Sequence, residues 1–278
     1  MIGKIYLVGA GPGDPELLTL KALRLLQTAG AVLHDDLVAP EILKLIPPTA
    51  QIFNVGKRFG KKKVLQWEIN WLMVGLATSG LSVVRLKSGD PLIFGRAGEE
   101  IEVLRGNNIP FEIVPGVTSA LGAAAAAQIP LTHRRASSAV VFMTAHRASQ
   151  QDDDWSKLAA SGATLVIYMP GQNYSEMGEK LASAGLACVT PCAIISRAST
   201  KYQQTHHTTI ADLHRAPQLP SQTLLLVGEA VGLADPAAAV SEFVRPGVFP
   251  VSDAFLPAVI PPFHSQAPRL GAEEEPTW

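Results

Sequence analysis

At 278 residues with 47% hydrophobic content, the chain is long enough to bury a large core or two ordinary ones. Its 23 basic and 24 acidic residues leave a net charge of −1, which excludes a global field for nucleic acid or an anionic membrane, so any acidic partner must meet a local basic patch. The opening MIGKIYLVGAGPGD has no apolar run suited to a signal peptide or a membrane span, and a reducing, cytoplasmic setting is expected.

Ile5 to Val8 reads as a buried strand running straight into Gly9-Ala10-Gly11-Pro12-Gly13-Asp14. The dinucleotide fingerprint fits this turn poorly. Asp14 stands where a small residue is needed, and Pro12 lacks an N–H for a phosphate. A turn passing close to an uncharged or zwitterionic ligand suits it better. Pro15-Glu16 is expected to open a helix through Gln27. Ala31 to His34 is the next strand, ending at Asp35-Asp36, where paired carboxylates often serve only as a cap or solvated turn. A helix (Pro40 to Ile46) and a strand (Gln51 to Val55) lead to Gly56-Lys57-Arg58-Phe59-Gly60-Lys61-Lys62-Lys63, the most basic run in the chain. Such a run is usually a solvated loop, yet this one follows a strand end.

After helix Gln66 to Thr78 comes the segment that organises the rest: strand Ser82 to Leu86, the turn Ser88-Gly89-Asp90-Pro91, and a helix from Gly98 to Arg105 with Glu99 and Glu100 in its first turn. Polar loops at the carboxyl ends of strands in an α/β sheet are where ligands bind. Arg96 and Glu99, three apart, point the same way at a helix start. Strand Phe111 to Val114 ends at Pro115-Gly116-Val117-Thr118-Ser119, followed by the Ala-rich helix Ala120 to Gln128 and a second basic cluster, Thr132-His133-Arg134-Arg135. This alternation implies a largely parallel sheet with helices on its faces.

The chain then restarts with strand Val140 to Thr144, a polar loop Gln150 to Asp154, helix Trp155 to Ala160, strand Thr164 to Tyr168 and helix Tyr174 to Ala184. Strands Ala193 to Ser196, Tyr202 to Thr209 and Gln222 to Val227 complete it. Cys188 and Cys192 lack the second ligand pair of a zinc site and read as buried free thiols. From Asp235 the sequence holds eight prolines and no periodicity, as a flexible or surface-draped tail would. The boundaries expected are 1–116, 117–234 and a tail 235–278.

Taken together, VGAGPGDPELLTLKAL, the GKR triplet, RLKSGDPLIFGRAGEE, PGVTSA, IPLTHR, TLVIYM and LLLVGEAVGL resemble the tetrapyrrole (corrin/porphyrin) methylases over residues 4 to 234. The likeness is strongest to members that methylate uroporphyrinogen III twice to precorrin-2, for sirohaem, cobalamin or haem d1. The resemblance implies an α/β fold of two domains, each a mixed sheet flanked by helices, with the cofactor cleft between them. It also implies S-adenosylmethionine as methyl donor, no metal, and a homodimer without nucleic-acid or membrane partners.

Carried over by position, cofactor contacts fall on Pro12, Ser88, Gly89, Asp90, Ile93, Thr118, Ser119, Met169 and Ala198. Acid/base positions match Asp35 and Lys57, and Arg96 and Glu99 join them as catalytic candidates. Lys57, Arg58, Arg96 and Arg134 are the substrate-carboxylate candidates, arginine suiting bidentate contacts and lysine a point charge. The general base stays open among Asp35, Glu99 and an arginine in unusual surroundings. The chain departs from the family pattern at Ser88 and Ala198, where glycine is usual, at Asp36, where a cation is usual, at Ser119, and at Val64-Leu65-Gln66-Trp67. Those departures leave open a methylase of another precorrin or a paralogue that binds without turnover.

Overall fold

The computed structural model describes residues 1–56, 64–145 and 155–234. The first sheet contains β1 (Ile5–Gly9), β2 (Ala31–His34), β3 (Gln51–Asn54), β4 (Val83–Lys87) and β5 (Phe111–Val114). Its order is β3-β2-β4-β1-β5, and every pair is parallel. The near-continuous apolar run of β1 and the complete burial of β4 suit central strands covered on both faces.

Because successive strand residues face opposite ways, each strand feeds two cores. Val8, Val32, Val84 and Leu86 pack with Ala22 and Leu26 of α1 (Leu20–Gln27) and Ile42 of α2 (Pro40–Leu43). On the other face Leu7, Leu33 and Val83 meet Ile69, Met73 and Ala77 of α3 (Gln66–Thr78) and Leu104 of α4 (Ala97–Gly106). Parallel pairing brings Gly9, His34, Asn54, Lys87 and Val114 to one edge.

The expected single helix from Pro15 to Gln27 is split. Pro15–Leu17 makes a 3-10 turn capped by the Asp14 side chain, Leu18 is extended, and α1 starts afresh with Thr19 Oγ1 accepting the Ala22 N–H at 3.1 Å. Two competing side-chain caps five residues apart enforce that break.

The second sheet holds β6 (Val140–Thr144), β7 (Thr164–Tyr168), β8 (Pro191–Ser196), β9 (Gln204–Thr209) and β10 (Thr223–Val227), ordered β6-β7-β10-β8-β9. β6 and β7 run parallel and the remaining pairs antiparallel, so this sheet is mixed. One face packs on α6 (Trp155–Ala160) and α7 (Tyr174–Ser183). The other takes α5 (Ser119–Ala126), whose Ala120, Ala123 and Ala124 allow close approach to Val166, Ala193, Ile195 and Leu226.

Both cysteines are free, but only Cys192 is buried; Cys188 is exposed, because it lies in the loop ahead of β8 rather than in the strand. Burial pushes the Cys192 thiol up to about 12, so it behaves as a small apolar side chain. Among the described residues, no helix is long and apolar enough to cross a membrane.

Candidate functional site

Three strand-end loops of the first sheet are stitched into one backbone surface. After β1, Gly11 and Gly89 form an antiparallel bridge, with Gly11 N–H donating to Gly89 O at 3.1 Å and Gly89 N–H donating to Gly11 O at 2.8 Å. After β5, a Cβ on Gly116 would lie 2.4 Å from Gly89 O and 2.8 Å from Gly9 Cα, so only glycine lets these chains meet. Asp90 locks the arrangement. Its Oδ1 accepts the Leu92 N–H at 2.8 Å and its Oδ2 accepts the Gly116 N–H at 3.0 Å. Asp90 therefore shapes the loop through both of its carboxylate oxygens.

The second sheet closes on the same surface. Pro12 packs against Gly122 of α5, where a Cβ would come within 2.6 Å of its ring. A Cβ on Gly13 would lie 2.7 Å from Thr200 Cγ2, in the loop after β8. Tyr168, the last residue of β7, accepts the Ala120 N–H at 3.2 Å and shares a hydroxyl–hydroxyl hydrogen bond with Thr118 Oγ1, 2.6 Å away. Burial pushes this phenol above its ordinary range. The Phe94 ring stands 4.8 Å from the Tyr168 ring, and Ile93 packs against the α5 core. Ser119 Oγ is 3.4 Å from the Cβ position of Gly89. Thus Pro12, Gly89, Asp90, Ile93, Thr118 and Ser119 converge, with Ser88 half-buried beside them.

Positive-φ backbone concentrates in the same loops: Phe94 and Arg96 after β4, Met169 after β7, Arg197 and Ser199 after β8. Each such non-glycine residue costs on the order of 1–3 kcal/mol, and clusters of this kind mark ligand-holding segments. Met169 is half-exposed, its side chain available to a ligand. Ser88 and Ala198 are not among the described residues with positive φ. Their replacement of the family's glycines therefore carries no backbone strain, and the left-handed turn in Ser88-Gly89 falls on Gly89, at φ 67°.

The charged candidates divide into three groups. Asp35, at the mouth of β2 with its side chain 29% exposed, accepts from Arg85 Nη2 at 2.5 Å. Arg96 and Glu99 form a bidentate pair, both contacts at 2.7 Å, on the exposed start of α4. The hydrogen bond from Arg96 holds the Glu99 carboxyl below its usual range, and the same bond raises Arg96. Arg134 sits apart at the exposed tip of a turn closed by the His133–Ser137 bridge, with no described contact to the other candidates. Lys57 and Arg58, with Lys61 to Lys63, lie outside the described residues, as do the Gln150 to Asp154 loop and the 235–278 tail.

Sequence reasoning passed over Arg85, Lys87 and Glu100, which lie beneath Asp35. Arg85 donates to Glu100 from Nε at 2.9 Å, and Lys87 Nζ reaches both Glu100 oxygens at 3.0 Å. Glu100, placed by the sequence only in the first turn of a helix, is fully buried as the counter-ion of β4. The signal available was two cations inside an otherwise apolar strand. Tyr168 was read only as a strand residue. Among the described residues, no group of three His, Cys, Asp or Glu side chains could hold a metal ion.

A wall of backbone amides and carbonyls with one anchored carboxylate suits a zwitterionic or hydroxyl-bearing ligand, and a half-exposed carboxylate at the same edge can accept a proton. A sequence profile described as Tetrapyrrole (Corrin/Porphyrin) Methylases matches residues 4–214. The chain is 45% identical to a uroporphyrinogen-III C-methyltransferase of Paracoccus denitrificans, over 88% of this chain and 87% of that protein. It is 49% identical to siroheme synthase 2 of Aeromonas hydrophila, over 84% of this chain but 50% of that protein. The chain thus spans about half the length of the siroheme synthases it matches. A uroporphyrin-III C-methyltransferase crystal structure from Thermus thermophilus, complexed with S-adenyl homocysteine, superposes with a TM-score of 0.73 at 37% identity, covering 83% of this chain and 99% of that one.

Proposed function

The chain belongs to the tetrapyrrole (corrin/porphyrin) methylases, and we propose that it uses S-adenosylmethionine to methylate uroporphyrinogen III twice, giving precorrin-2 for sirohaem, cobalamin or haem d1. The observation that carries this reading is the joining of Gly11, Gly89–Asp90 and Gly116 to the Thr118–Tyr168 link, a backbone-lined site to which both sheets contribute. The domains are taken as 1–116 and 117–234, since β5 ends at Val114 and α5 packs on the second sheet. A homodimer in the cytoplasm completes the reading.

When bound, the cofactor supplies a methyl group on a sulfonium sulfur. Pro12, Gly89, Asp90, Ser119, Met169 and Ala198 hold it through backbone groups and one carboxylate. An electron-rich pyrrole carbon needs placement more than activation. After methylation its C–H proton must leave to restore conjugation, and Asp35 is the base at the strand edge that can take it. Arg96, Arg134, Lys57 and Arg58 meet the carboxylates of the substrate.

Anaerobic incubation of the protein with S-adenosylmethionine and freshly generated uroporphyrinogen III, followed by oxidation and mass analysis, tests the proposal. Products heavier by one and then two methyl groups are expected. Unmethylated porphyrin, with S-adenosylhomocysteine binding intact by calorimetry, would contradict the assigned acceptor.

A further inference from the structure

β4 is buried along its whole length, yet it carries Arg85 and Lys87, whose side chains are each 3% exposed. Cations so buried are sustained only by close counter-charges and satisfied donors. Glu100 is one counter-charge, shared between both cations. The other is Asp35, so the four groups balance only with Asp35 as a carboxylate.

Arg85 is held from three directions: Nε on Glu100 at 2.9 Å, Nη1 on the carbonyls of Leu33 at 3.4 Å and Leu86 at 3.3 Å, and Nη2 on Asp35 at 2.5 Å. Only the planar fork of arginine reaches the floor and the mouth of the sheet together. The other groups packed here are Gln66 and Asn70 of α3, which are neutral, and the outward Arg96–Glu99 pair of α4; His34 and Asp36 flank Asp35 on its own strand end.

We propose that Arg85 is a positioning residue for methyl transfer: it fixes one oxygen of Asp35 and leaves the other facing the proton to be removed. This rests on the assignment of Asp35 as the base. In that step the C–H bond of the methylated carbon breaks, its electron pair returns to the macrocycle, and an O–H bond forms on Asp35. The proton then passes from Asp35 to water at the exposed side of the carboxylate. The substrate-facing role belongs to Asp35, and Arg85 acts only through it.

A double-mutant cycle on the full chain tests the inference, with kcat, KM for uroporphyrinogen III, S-adenosylhomocysteine affinity and Tm measured for Arg85→Lys, Asp35→Asn and the double variant. Arg85→Lys keeps the charge and tests the fork. A misplaced group of this kind lowers kcat by about tenfold to a hundredfold. KM and S-adenosylhomocysteine affinity are expected to hold, and the double variant to be no slower than Asp35→Asn alone. Multiplying effects would show that Arg85 acts independently and overturn the inference. So would a loss of kcat that tracks a loss of ligand affinity and Tm. An undiminished Asp35→Asn variant would instead remove the base assignment, and with it the inference. A wild-type chain that transfers no methyl group would overturn the proposed function first.

Discussion

Glu100 accepts from Arg85 and Lys87 in a fully buried position, so the interior of the first sheet depends on its charge. Burial pushes the Lys87 ammonium below its ordinary range, with Arg85 adding to the effect, so any loss of the Glu100 charge is felt at once. Glu100→Gln keeps the shape but strands the Lys87 ammonium and takes from Arg85 its buried partner, and should cost about 3–5 kcal/mol of stability by urea denaturation; an unchanged unfolding midpoint would show that the pairing is dispensable. The Arg96–Glu99 pair, by contrast, is half-exposed and contributes little to stability. At this scale the sequence was legible where spacing alone decides a contact, as for Arg96 and Glu99. It was silent on Asp35–Arg85, whose partners are 50 positions apart and meet only through strand pairing. Ser88 and Ala198 carry no left-handed strain, because the left-handed turns fall on Gly89, Arg197 and Ser199 instead.

Elements with strong periodicity or firm boundaries were read correctly: α3, β5, β6, α6 and β7 occupy the expected residues. Boundaries slipped where caps compete, as at Thr19, and where a helix could have run on, as in α2, which ends at Leu43. The antiparallel pairings of β10 with β7 and β8 were not legible, since strand order is a non-local property that no local run encodes. Edge strand β5 is tied to its neighbours through Glu112, which accepts from Lys4 at 2.7 Å and from Lys21 of α1. Those hydrogen bonds, from Lys21 first and then Lys4, lower the Glu112 carboxyl from 4.5 to about 2. A carboxyl depressed on folding stabilises the folded chain above its unfolded value, and that contribution fades as pH falls toward the folded one. Glu112→Gln should therefore flatten the loss of stability between about pH 4.5 and about pH 2, most visibly at low salt. Parallel acid-denaturation curves for the two proteins would refute the assignment.

Across the described residues, two sheets with separate cores meet at one set of loops, and the glycines at 13 and 122 make that approach possible. The family was legible in the sequence because those loops carry short, ordered motifs. The division of labour within them was not, because Asp90 and Tyr168 act through backbone amides that residue identity does not reveal. In the proposed function, loops of both sheets hold a single cofactor. A crystal structure of the protein with S-adenosylhomocysteine tests it most directly. Ligand contacts are expected from Gly89–Asp90 and Ser119 together with Met169 and Ala198. A ligand held by one sheet alone, or bound away from these loops, would contradict it.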